Sequence, residues 1–157
     1  MGWGCRSEKV EKSEKMKKYI IDTSVAVKWF CHEESDAGIA LQLRVQLLDG
    51  YCTIASPDLL IYELANALKY NPNFTVMEVK TALNSVFDMG LDIKKADTLV
   101  TSKAIDMAFR FNVTVYDAYF MALSRIEKKP LITADYQFAK RVKGFKSIIR
   151  LSEMVLS

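Results

Sequence analysis

Two short runs constrain the fold of this chain more than anything else in it. KKYIID at residues 17–22 and KKPLITAD at residues 128–135 each pass from lysines through apolar residues to an aspartate, then straight into a helical pattern. Apolar runs this short and continuous belong to strands covered on both faces, as in a parallel sheet with helices packed over it. An aspartate that closes such a strand stands at the edge where α/β folds place their chemistry. One strand-end carboxylate is ordinary; two in a small chain point to a site being assembled.

The interval between the two runs alternates in the same way. After a strand at Lys18–Ile21, helical patterns cover Ser24–Phe30 and Ala37–Leu48, and Tyr51–Ala55 is the next strand. Ser56-Pro57-Asp58 opens a helix carrying LLIYELANALKY, which Asn71-Pro72-Asn73 breaks. A capping-box pattern of Thr75 and Glu78 starts another helix that closes near Gly90. Asp92-Ile93 reads as a short strand, Asp97–Phe111 and Val115–Lys128 as helices, Pro130–Thr133 as a strand, Tyr136–Val142 as a helix and Ser147–Ile149 as a last strand. This order predicts a three-layer α/β/α sandwich with a mainly parallel central sheet.

Length and composition agree with one domain. The chain has 157 residues, half of them hydrophobic, which is enough apolar material for a core of its own. A net charge of +3 excludes a strongly basic nucleic-acid binder while leaving room for a local basic face. Cys5, Cys31 and Cys52 form no CxxC pair, which fits reduced thiols in a cytoplasmic protein better than a disulfide framework or a zinc site. Residues 1–15 are charged and aperiodic, without the apolar stretch of a signal peptide, and read as a flexible arm or start-site extension; the domain is expected over 16–157. No apolar run approaches the roughly 20 residues that span a bilayer.

Four carboxylates stand out. Asp22 and Asp135 each precede a helix and could serve as N-caps. Glu63 lies on the flank of a helix whose apolar face carries Leu60, Leu64, Ala67 and Leu68, and could reach solvent at the edge of that face. Asp117 opens VYDAYFMALS, a helix apolar nearly all round, where a first-turn charge also suits the helix dipole. If these four acids converge, they repel one another and their pKa values rise. A hard divalent cation such as Mg²⁺ or Mn²⁺ would resolve the repulsion, because it takes carboxylate oxygens and leaves positions open for substrate phosphates.

YIIDTSV, YELANAL, VYDAYFMALS and LITADYQF, in this order, resemble the four motifs of the PIN-domain family and in particular its VapC-type toxins. The resemblance covers nearly the whole chain from Met16 onward. It implies an α/β/α nuclease fold in which Asp22, Glu63, Asp117 and Asp135 hold Mg²⁺ or Mn²⁺ and cleave single-stranded RNA. It also assigns supporting roles to Ser24, Asn66 and Thr133. VapC-like proteins are typically homodimers neutralised by a small antitoxin, and Trp29, Phe30 and the stripe in LLIYELANAL are candidates for such contacts or for the core.

Absent parts narrow the chemistry further. The single histidine, His32, leaves no paired-His or Ser-His-Asp machinery, and neither GxGxxG nor GxxxxGK[ST] occurs. Hydrolysis by water activated at a divalent ion should then leave a 5′ phosphate. Lys128, Lys129, Lys140, Arg141, Lys143 and Lys146, with Arg110 and Arg125, are candidates for RNA backbone contacts, which hold phosphates without reading sequence. Tyr119 and Tyr136 could stack on bases or pack. Two other readings stay open: a PIN-like module that binds RNA or protein without cutting, and a structure-specific deoxyribonuclease.

Overall fold

In a computed structural model, residues 16–156 are described; the arm expected at residues 1–15 lies outside the described residues. The chain runs β1 (Lys17–Ile21), α1 (Thr23–Val27), α2 (Ala37–Leu48), β2 (Cys52–Pro57), α3 (Leu59–Lys69), α4 (Val76–Asp88), β3 (Asp92–Lys94), α5 (Thr98–Phe111), α6 (Val115–Glu127), β4 (Leu131–Thr133), α7 (Tyr136–Arg141) and β5 (Ile148–Arg150). The five strands form one sheet in the order β3-β2-β1-β4-β5, and every neighbouring pair is parallel.

Successive strand residues point to opposite faces. Ile20 and Ile21 in β1, and Leu131 and Ile132 in β4, are all fully buried, so both faces of the sheet are covered. This is the predicted three-layer α/β/α sandwich, with the sheet parallel throughout. Beyond the sheet, Trp29 is buried with its indole N–H donating to the carbonyl of Ala40 at 2.9 Å, which pins the segment after α1 onto α2. Thr75 and Glu78 form the expected capping box at the start of α4. No helix among the described residues is long and apolar enough to cross a membrane.

Two local expectations are corrected. Pro57 does not open a helix but ends β2, and α3 starts at Leu59. Pairing with β1 stops at Ala55, so the N–H that Pro57 lacks is not needed there. Ala67, expected on the apolar face of α3, is exposed. It lies about 60° round the wheel from Leu64, outside the stripe that Leu60, Leu64 and Leu68 bury completely.

The order of strands places the site. From β1 the chain adds β2 and β3 on one side, then returns to add β4 and β5 on the other. The reversal falls between β1 and β4, and in open α/β sheets the crevice at the carboxyl ends of two such strands is where ligands bind. Ile21 pairs with Ile132, so Asp22 leaves β1 beside Thr133 at the end of β4.

The buried stripe of α3 also sets where Glu63 stands. Truncating its centre, Leu64→Ala, should cost about 2 to 5 kcal/mol by lost burial and cavity formation. Urea denaturation of the variant against the parent protein measures this; a loss within error of zero would show that α3 is not anchored by the stripe.

Candidate active site

The geometry begins at Asp22, whose buried side chain reaches across from β1 to the β4–α7 turn. Ser24 Oγ donates to Asp22 Oδ1, and Thr133 Oγ1 donates to Asp22 Oδ2. Each hydroxyl is itself held by a backbone donor from that turn: Ala134 N–H to Ser24 Oγ at 2.8 Å, and Asp135 N–H to Thr133 Oγ1 at 3.1 Å. With a backbone N–H on its lone pair, each hydroxyl points its own proton at the carboxylate. Two relays of backbone N–H, hydroxyl and carboxylate therefore tie Asp22 to the turn that carries Asp135. The spacing of Thr133 and Asp135 follows from this, since a threonine bonds the backbone two residues on.

Asp22 also caps α1, accepting from Ser24 N–H at 3.1 Å, and Asp135 caps α7, accepting from Phe138 N–H at 3.0 Å. The cap of α6 is Thr114, not Asp117; Asp117 is the third residue of that helix and its N–H donates to Thr114 Oγ1. Glu63 Oε1 accepts from Thr23 Oγ1 at 2.8 Å, which joins α3 to the first residue of α1. Thr23 was legible in the sequence only as a hydroxyl beside Asp22; its bond to Glu63 was not.

The four acids share one electrostatic neighbourhood. Burial pushes the Asp22 carboxyl from 3.8 up to about 6; the Ser24 and Thr133 hydroxyls oppose the rise, and the Asp135 charge adds to it. Burial raises Glu63, against the Thr23 hydrogen bond and together with the Asp117 charge. Burial likewise raises Asp117, helped by Asp135 and opposed by Thr114 and Arg141. Asp22, Asp135, Asp117 and Glu63 thus form a chain of like charges along one edge of the sheet.

Other sequence candidates divide. Asn66 is exposed, with no hydrogen bond to the carboxylates among the described residues. Arg141 acts on Asp117, and Lys140 lines a cleft of about 550 Å³ together with Ser24 and Asp135. Lys128 and Lys129 are not brought to the acids. They follow α6, about 16 Å along its axis from Asp117, and Lys129 pairs with Glu127 at 3.6 Å. Lys143 and Lys146 are exposed in the segment after α7. Arg110 and Arg125 lie over the rings of Phe111 and Phe145. Tyr136 does not present its hydroxyl for ligand contact: it donates to Asp36 at 2.6 Å and accepts from Ser152 N–H at 3.1 Å. Tyr119 pairs with Thr101 at 2.7 Å.

Comparison with known proteins identifies the family. The family model described as the PIN domain matches residues 19–144. The chain belongs to the PIN-domain family. By sequence, no curated protein matches it. Among solved structures, a toxin-antitoxin complex from Klebsiella pneumoniae has a chain 14% identical, aligned over 87% of this chain and 99% of that one, with a TM-score of 0.63. A structure from Pyrobaculum aerophilum is 18% identical over 87% of this chain and 90% of that one, with a TM-score of 0.61. VapC20 of Mycobacterium tuberculosis, named as a sarcin-ricin loop cleaving toxin, is 13% identical over 77% of this chain and 94% of that one, with a TM-score of 0.62.

In kind, the donors of this PIN domain suit a hard cation: four carboxylates, three of them with raised pKa values, and no ion pair to any of them among the described residues. As they stand, no three His, Cys, Asp or Glu side chains among the described residues are close enough together to hold a metal ion. Both Asp22 oxygens are engaged by hydroxyls.

The raised pKa of Asp22 makes stability depend on pH. Folded, its carboxyl keeps its proton to about pH 6; unfolded, only to about 3.8. Between these values the native state binds more protons, so stability falls as pH rises, by on the order of 3 kcal/mol once both states are ionised. In EDTA, Asp22→Asn should therefore gain on the wild type in melting temperature between about pH 4 and pH 7. An identical pH dependence in both proteins would mean that Asp22 is not the group destabilised by burial.

Proposed function

We propose that this PIN domain is a divalent-metal-dependent endoribonuclease that cleaves single-stranded RNA by water attack on the phosphodiester, and that it is the toxin of a toxin-antitoxin pair. The observation that carries the reading is the row of mutually repelling carboxylates at the β1/β4 crevice. A purely structural role gives no reason to gather four acids without a cation. Asp22, Glu63, Asp117 and Asp135 would hold Mg²⁺ or Mn²⁺.

A bound ion of this type would supply charge stabilisation at phosphoryl oxygens and a more acidic water. The protein's own part is positioning. Ser24 and Thr133 hold the Asp22 carboxylate in one orientation, and Thr23 does the same for Glu63. The burial that raises these pKa values also lowers the local dielectric, which strengthens every charge interaction made there.

Kinship with toxin-antitoxin structures supports a small antitoxin as partner. Large apolar side chains exposed on α4, α5 and α6, among them Met77, Phe109 and Tyr116, offer surface for that partner or for a second copy in a homodimer. Trp29 and the Leu60, Leu64 and Leu68 stripe are buried in the core and are not available for it.

Purified protein incubated with single-stranded RNA should cleave it in Mn²⁺ and not in EDTA, leaving 5′ phosphates. Asp22→Asn and Asp117→Asn should abolish cleavage while circular dichroism shows both variants folded. Thermal melts give a second readout, because an ion bound only by the native state stabilises by about 2.7 kcal/mol at a hundredfold excess over its dissociation constant. Asp135→Asn should lose most of that gain. Cleavage of flap DNA but not RNA would favour a deoxyribonuclease, and RNA binding with no cleavage in any metal would favour a non-catalytic module.

A further inference from the structure

The cleft beside Asp135 is lined by the largely buried side chain of Lys28. Lys28 ends α1, four residues after Ser24, so the two side chains share one face of the turn. Its side chain is only 9% exposed, yet it lines the cleft with Ser24, Asp135, Gln137 and Lys140. The ammonium is held at 3.1 Å by Glu34, whose own side chain is 46% exposed on the loop between α1 and α2. That loop is fastened at a second point, where Asp36, in the left-handed region at φ 61°, accepts the hydroxyl proton of Tyr136.

A lysine whose side chain is this covered keeps its ammonium at the cleft wall, where an anion can pair with it. Glu34 supplies one, and it is the more exposed partner of the pair, so solvent is open to it if another anion takes its place. The exchange of one monoanion for another would leave Lys28 paired throughout. Lys140 adds a second positive charge from α7 on the same cleft, and the volume of about 550 Å³ is within the range of small-ligand sites.

We infer that Lys28, with Lys140, forms a subsite for a backbone phosphate of single-stranded RNA next to the phosphate at the carboxylates, with Glu34 occupying Lys28 until the strand enters. This rests on the nuclease reading for the identity of the strand. Its chemistry is that of a point-charge phosphate contact, for which lysine is suited. A strand that lays one phosphate against the acids must lead its neighbour away over one side, and this cleft, which adjoins Asp135, carries the ammonium groups of Lys28 and Lys140 beside the carboxylate of Glu34.

The test is binding of a short fluorescent single-stranded RNA in EDTA, read by anisotropy over a range of salt. Lys28→Met should weaken binding about tenfold and lower the salt slope by about 0.7, as for one lost phosphate contact on a single strand. Lys28→Arg should restore most of the affinity. Glu34→Gln, which frees Lys28, should bind at least as tightly as the wild type.

A merely structural role predicts otherwise: if the pair only fastens the loop, Glu34→Gln and Lys28→Met weaken binding alike, and the subsite is overturned. Unchanged affinity and salt slope in Lys28→Met, or no RNA binding by the wild type, would overturn it equally. Should Lys28→Met fail to fold, Glu34→Gln decides alone, since a subsite predicts equal or tighter binding and a fastening predicts weaker. Because no metal is present, failure of the nuclease reading appears separately, as RNA that is bound in EDTA but never cut in Mn²⁺.

Discussion

A buried carboxylate has to find donors, and Asp22 finds one of its three, the Thr133 hydroxyl, on a strand it does not belong to. The two hydroxyls that point at it are themselves oriented by backbone N–H groups of residues 134 and 135. Through these bonds the end of β1, the start of α1 and the turn from β4 to α7 become one rigid unit. Parallel pairing brings β1 and β4 side by side, but two matched residues on a three-residue strand give it little hold. The Asp22 bonds add to the pairing of β4 with β5 and to the burial of Leu131 and Ile132, and they do so at the point where the strand order reverses.

The same interaction explains the electrostatics. Neutral hydroxyl donors reduce the cost of burying a charge without cancelling it, which is why Asp22 remains raised to about 6 despite three hydrogen bonds. A guanidinium at this spot would have neutralised the carboxylate outright. Instead a basic side chain, Arg141, acts on Asp117 at the edge of the cluster.

Much of this was legible in the sequence because it depends on short-range patterns. Continuous apolar runs ending in Asp22 and Asp135 identified parallel strands and the edge at which they end. Thr133 was marked only through the family resemblance, and the bond that joins it to Asp135 spans two residues. Contacts that arise only in three dimensions were not visible. Thr23 reaches Glu63 across 40 residues, and no local rule joins them. Lys28 follows an apolar stretch that could as well have ended at the surface; its burial depends on the loop that brings Glu34 back over it. The basic residues near the last motif were grouped by proximity in sequence, yet α6 carries Lys128 and Lys129 away from Asp117 while α7 keeps Lys140 beside Asp135.

For Asp22 and Asp135, helix cap and site residue looked like competing descriptions. The structure makes them compatible, because a carboxylate has about four lone-pair directions and a cap uses one or two. Asp135 gives one oxygen to Phe138 N–H, so the cap fixes the side chain while leaving it exposed toward the cleft. Asp22 is more fully engaged, but two of its three bonds come from hydroxyls, which can rotate, and only one from a fixed backbone N–H. Capping is therefore the means by which each helix start holds its carboxylate at the crevice. The helix N-terminus in turn favours the ionised form that burial opposes. A strand-end acid followed at once by a helix is the local sequence that delivers both effects.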